Sequence, residues 1–134
     1  MLVYRVEHPE YTARRGELWS FPPGPYWHGH VDAAGEVCDR MDREHSFTPA
    51  RPAWLRAGIC YSAMGCALSA CVSLNDLRAW FDGFVLDLHS AGFRVGVYDA
   101  MNVQESQHGL PQAVFDYATA SLVDTMSLIG DEER

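Results

Sequence analysis

Lysine is absent from this 134-residue chain, and all ten basic residues are arginine. A lysine nucleophile or Schiff base is therefore excluded, and every cation is a planar, permanently charged fork suited to carboxylates and phosphates. Cations are also outnumbered, ten against eighteen acidic residues, for a net charge of −8. Nucleic-acid affinity comes largely from clustered cations, so direct binding to a phosphate backbone is not expected. No run of about 18 apolar residues occurs, so no membrane-spanning helix is expected. The opening MLVYRVEH carries Arg5 and Glu7 early, unlike a signal peptide, and a cytoplasmic location is expected. No GxSxG, P-loop or GxGxxG stretch is present, and Gly65-Cys66-Ala67-Leu68-Ser69-Ala70 matches none of them.

The four cysteines, at 38, 60, 66 and 71, lack the CxxC pairing of zinc ribbons and thioredoxin-like motifs. They read as reduced thiols, mostly buried as small hydrophobes, with a Cys60–Cys66 or Cys66–Cys71 disulfide as the alternative. Cys60, Cys66 and Cys71 stand in apolar stretches, which raise a thiol's pKa and make it inert.

What is present suits one domain with its own core. The chain is 48% hydrophobic and 12% aromatic, and a domain of this size buries roughly 65–70% of its unfolded surface. Leu2, Tyr4 and Val6 alternate with Val3, Arg5 and Glu7, which predicts a strand over 2–7. Residues 8–27 hold four prolines and the aromatics Tyr11, Trp19, Phe21, Tyr26 and Trp27. Proline lacks the donor N–H, so this stretch reads as a long, aromatic-rich loop or a binding surface. A short helix is expected over 31–45, with Val31, Ala34, Cys38, Met41 and His45 on one face and Asp32, Glu36, Asp39 and Arg43 on another. A second loop, 46–58, carries Trp54. Residues 59–72 read as two short buried strands around Gly65, or as a buried helix.

Ser73 with Asp76 three positions on forms a capping-box-like start for an amphipathic helix through Leu74, Leu77, Trp80, Phe81, Phe84, Val85 and Leu88. Gly83 divides that stretch and Gly92 ends it. Period-two alternation predicts a strand over 93–99, and a second is read over 112–117 after a polar loop. Leu122, Val123, Met126 and Ile129 suggest a terminal helix, and 131–134 a frayed tail. The expected fold is a single α+β domain with a mostly antiparallel sheet and a central amphipathic helix.

Two constellations bear on chemistry. His28-Gly29-His30 has the i, i+2 spacing of a strand-borne metal pair, but no second pair at ligand spacing accompanies it, so no metal is expected. Asp32, Glu36 and Asp39 form a carboxylate stripe that would steer a basic partner, partly neutralised by Arg40 and Arg43.

The first strand through His8, Gly24-Pro25-Tyr26, Cys71-Val72-Ser73-Leu74 with Trp80-Phe81, and the segments 92–98 and 112–116 together resemble small phage and prophage proteins. The layout also looks distantly like an ADP-ribosyltransferase with an Arg–Ser–Glu triad. That resemblance implies NAD as cofactor, with Arg5 holding its phosphate or ribose and Ser73 bracing the nicotinamide half. The glutamate position falls on Gln112, an amide that cannot stabilise a developing cation as an anion would, and Glu105 is the possible substitute. The leading expectation is a cofactor-free binding protein that occupies a host protein or nucleoprotein surface, as an anti-CRISPR inhibitor does. Trp19, Phe21, Tyr26, Trp27, Asp32, Glu36 and Asp39 are its expected contact residues, because aromatics and arginines dominate interface energies. The alternative is an NAD-using enzyme, and a homodimer without ligand is a third reading.

Overall fold

Residues Leu2–Glu7 form β1, with Val3, Arg5 and Glu7 on one face and Tyr4 and Val6 on the other, and its second half is buried on both faces. In the computed structural model, which describes residues 1–26, 35–45 and 48–130, the chain continues through a small hairpin, β2 (Ala13–Arg15) and β3 (Trp19–Phe21), turning at Gly16 with φ +63°. The segment expected as an aromatic-rich loop or binding surface thus contains paired strands. The first helix, α1, spans Gly35–His45 and buries Val37, Cys38, Met41 and His45 while exposing Glu36 and Asp39. Strand β4 (Ala67–Ala70) leads to α2 (Leu74–Trp80) and α3 (Val85–Ser90). Then follow β5 (Arg94–Asp99), β6 (Val103–Glu105), β7 (Ala113–Asp116) and β8 (Ser121–Met126).

Every strand pairing among the described residues is antiparallel, giving the expected α+β class. The strands divide into two sheets, ordered β1-β5-β8 and β4-β7-β6, beside the β2-β3 hairpin. The sheets meet at one bridge, where Tyr4 and Cys71 exchange two backbone hydrogen bonds of 2.8 Å. Among the described residues β1 and β4 pair no further. One core lies between β1-β5-β8 and the helices, around Met41, Leu77, Leu88, Phe93 and Val95. A second lies between that sheet's other face, β4-β7-β6 and the hairpin, around Val3, Phe21, Leu68, Tyr98 and Phe115.

Local chemistry explains the helix boundaries. Ser73 sits extended at φ −147°, and its hydroxyl accepts the Asp76 N–H at 3.1 Å, which starts α2. Gly83, at φ +87°, separates α2 from α3. Gly92, at φ +101°, ends α3, and a Cβ there would come within 2.3 Å of His8 Nε2, so any side chain would be strained and would displace His8.

Three expectations are corrected. Residues 59–65 form no strand: Ile59 is buried, but Cys60 to Ala63 are exposed and Met64 N–H closes a turn on the Tyr61 carbonyl. The strand starts only after Cys66, whose N–H is taken by the Asp116 carboxylate at 3.0 Å. The terminal segment is a strand, β8, pairing with β5 rather than coiling. A register shift between Val97 and Tyr98 leaves Val123 unpaired, and that extra residue breaks the period of two and imitates helical spacing. All four cysteines are free and three are buried, as expected, and the third correction concerns Cys60, which is exposed. The Cys60 thiol is pulled down by its hydrogen bond with Ser62, opposite to the inert thiol expected there.

Candidate functional site

Where β1 and β4 part beyond the Tyr4–Cys71 bridge, a hollow of about 170 Å³ opens between them. Arg5 and Val6 line it from one strand and Ala67–Cys71 from the other. Pro25, Tyr26, Leu77, Trp80 and Phe81 form its apolar walls. It adjoins a wider depression of about 440 Å³ bordered by Asp42, His45, Arg51 and Tyr61. Tyr26, Trp54, Ser69, Trp80 and Gln112 border both, so the two make one groove.

The inner floor is built on Arg5, which is 6% exposed. Its Nη1 donates to Glu7 Oε1 at 3.1 Å and to the Pro22 carbonyl at 2.9 Å. Glu7 is two residues on along the same strand face, and Tyr98 from β5 donates to both its oxygens, at 2.8 and 3.0 Å. Burial raises the Glu7 carboxyl above the ordinary range, outweighing the opposite pull of Arg5 and Tyr98. Burial, with Glu7 beside it, likewise raises the Tyr98 phenol. Room for this carboxylate comes from Gly96, where a Cβ would lie 2.4 Å from Glu7 Oε2. Arg15, on β2, donates to the Ala67 carbonyl at 2.5 Å. The Arg5 and Arg15 guanidinium carbons lie 5.9 and 5.5 Å from the centre of the Phe21 ring, a cation–π arrangement. The hairpin thus brings Arg15 to the β1–β4 gap and buries Phe21 beneath it.

The groove's middle is a hydrogen-bonded relay. Trp80 Nε1, which can only donate, gives its proton to Tyr26 Oη at 2.9 Å. Tyr26 Oη lies 2.6 Å from His45 Nδ1, and with His45 neutral and its proton on Nε2 the hydroxyl donates to Nδ1. Burial and the nearby Arg51 charge hold His45 down at about 4, and burial raises Tyr26, so both stay neutral at physiological pH. Arg51 donates to the Trp80 and Ala79 carbonyls at 2.8 and 3.3 Å, closing the end of α2. Gln112 Nε2 donates to the Pro52 carbonyl and Trp54 Nε1 to Ser69 Oγ, which tie the 48–58 loop over the groove. Cys71, at the junction, is pushed up to about 12 by burial and faces the Pro111 carbonyl.

The residues anticipated from sequence divide accordingly. Arg5, Gln112 and Tyr26 line the groove. Ser73 does not, and its hydroxyl is used as the α2 cap. Glu105 is exposed on β6 and borders neither hollow. Phe21 is buried beneath the arginines, so it can be no direct contact, and Trp19 is half-buried against the same core. Glu36 and Asp39 are exposed on α1, away from the groove lining. Trp27, His28, His30 and Asp32 lie outside the described residues, as does the 131–134 tail. Among the described residues no group of three His, Cys, Asp or Glu side chains is placed to hold a metal. Sequence reasoning missed Glu7, Arg15, His45, Arg51 and Trp80 as site residues. Only Glu7 carried a signal, its i, i+2 placement after Arg5 on one strand.

The outline is that of a small antiparallel α+β protein with one aromatic-walled, arginine-floored groove. Residues 1–129 match the family described as Bacteriophage T4 Y00F protein, and the chain belongs to that phage family. No curated protein and no solved structure matches the chain. The resemblance to phage proteins is therefore borne out at the level of the family. No helix among the described residues is long and apolar enough to cross a membrane.

Proposed function

We propose that this phage protein works by adhesion, occupying a surface of a host protein or nucleoprotein complex with the groove as its recognition element. The observation that carries this reading is the composition of the groove. Its inner hollow is lined by aromatics and two arginines, residue types enriched where binding energy concentrates. Among the described lining residues of that hollow there is no carboxylate, and the one thiol, Cys71, stays protonated near neutral pH. The adjacent histidine is a poor base with its pKa near 4. Such a surface holds a partner well and moves protons badly. Inhibition of a host defence complex by occupancy, as anti-CRISPR proteins act, fits the phage family, and the exposed Glu36 and Asp39 on α1 would add attraction to a basic partner.

The NAD-dependent alternative finds less support. Arg5 lines the hollow, but Ser73 caps a helix and Gln112 contributes an amide bonded to Pro52. Isothermal titration with NAD should give no saturable heat, whereas saturable binding would favour the enzyme. The adhesion reading is tested by affinity capture from host lysate with the wild-type chain and with Trp54→Ala. A stoichiometric partner retained by the first and lost by the second is expected. Equal retention by both, or no partner at micromolar concentrations, would overturn it.

A further inference from the structure

We infer that the inner hollow is a binding site for an aromatic ring carrying an anionic group, phosphate or carboxylate. The inference deepens the adhesion reading and rests on the groove being the recognition surface. Its volume, about 170 Å³, is the size of a single substituted ring, comparable to the cavity of about 150 Å³ that holds benzene in an apolar core. The walls supply the apolar contact such a ring requires: Pro25, Tyr26, Leu77, Trp80 and Phe81.

The anion specificity comes from the floor. The chain carries a net charge of −8, yet the lining of this hollow includes two guanidiniums and, among the described residues, no carboxylate. Arg5 is held from behind by Glu7 and Pro22, and Glu7 is itself fixed by Tyr98. A cation whose geometry is set before the ligand arrives loses little freedom on binding it. Gly24 completes the arrangement. It lines the hollow, and a Cβ at that position would stand 3.1 Å from Arg5 Nη2, so glycine leaves that edge of the guanidinium uncovered. Arg15 reaches the same hollow from β2 while bonded to the Ala67 carbonyl on its rim. Two guanidiniums sharing one aromatic platform, Phe21, present a fork–fork surface that matches the oxygens of a phosphate or carboxylate.

The ring could belong to a free small molecule or to a modified or terminal aromatic residue of the partner; the chemistry recognised is the same. Phenyl phosphate is the probe, with inorganic phosphate and benzyl alcohol as the two half-ligands. Binding is read by tryptophan fluorescence, since Trp54 and Trp80 border the hollow, and by isothermal titration. Phenyl phosphate should bind saturably and at least about tenfold more tightly than either half-ligand. Arg15→Gln should weaken it about tenfold or more, a loss equivalent to one charge-assisted contact. Leu86→Ala, at an exposed position on α3 outside both hollows, should bind as the wild type and serves as the folded reference. Arg5 is unsuited to the test because its removal strands Glu7.

Phenyl phosphate that fails to saturate, or that binds Arg15→Gln as well as wild type, would overturn the inference. If phenyl phosphate fails while Trp54→Ala still releases a captured host partner, the ligand class is wrong and the adhesion reading stands. If phenyl phosphate binds as expected and also displaces the captured partner, the ring belongs to that partner. Binding without displacement assigns it to a free small molecule.

Discussion

Lowering the pH toward 4 should remove stability stored in the Trp80–Tyr26–His45 relay. Trp80 donates to the Tyr26 oxygen, and in the Nε2-protonated tautomer of His45 the Tyr26 hydroxyl donates to Nδ1. Protonating His45 adds a hydrogen at Nδ1, facing the Tyr26 O–H, and that hydrogen bond must rearrange. Burial and Arg51 oppose the same event. The native pKa is depressed from 6.5 to about 4, so the stabilisation is fully present above pH 6.5 and is lost as pH falls through 4. The full shift corresponds to about 3 kcal/mol. His45 borders an open depression and is partly screened by water, which reduces the expectation to about 1–2 kcal/mol. Urea unfolding of wild type and His45→Asn, whose amide oxygen can replace Nδ1 as acceptor, isolates this group from the other histidines. The stability difference between the two proteins should shrink by about 1–2 kcal/mol between pH 7.5 and 4. Parallel stability curves, or an NMR titration of His45 near 6.5, would refute the relay and the tautomer derived from it.

Other expectations follow from the buried pair and the backbone. Glu7→Leu should cost about 3–5 kcal/mol by stranding the Arg5 charge, while Arg5→Met with Glu7→Leu should recover most of it in a double-mutant cycle. Additive losses would contradict the pairing. Gly96→Ala forces a Cβ to within 2.4 Å of Glu7 Oε2 and should cost about 1–3 kcal/mol. Gly83→Ala meets no atom within 4 Å, so only the strain of its positive φ, about 1–2 kcal/mol, should appear in thermal unfolding. Iodoacetamide should alkylate Cys60 first, with Cys38, Cys66 and Cys71 protected until the protein unfolds, as mass mapping of peptides would show.

Much of the scaffold was legible because its signals are local. Alternation in 2–7 and 93–99, the Ser73 cap and the glycines at 83 and 92 each act within a few residues, and the structure uses them as expected. The β8 segment was misread because its bulge disguises a strand's period, a feature that only pairing with β5 creates. Residues 59–65 failed for a related reason: their apolar composition suggested burial, but the Asp116 carboxylate takes the Cys66 N–H and the chain turns before any strand begins. The site was less legible still. Arg5 and Gln112 were anticipated through a resemblance whose other positions, Ser73 and Glu105, lie off the groove lining. Arg15, Trp80 and His45 reach the groove from a hairpin, the last residue of α2 and the last residue of α1, far apart in sequence, and no spacing rule links them.

Adhesion through the groove makes its most direct claim about where contact occurs. A photo-crosslinking side chain at Tyr61, exposed on the wider depression, and one at Leu86, exposed on α3, would probe two faces of the same folded chain in infected-host lysate. The account predicts a single stoichiometric host adduct from position 61 and none from position 86. An adduct formed from position 86 alone, or from both equally, would contradict it.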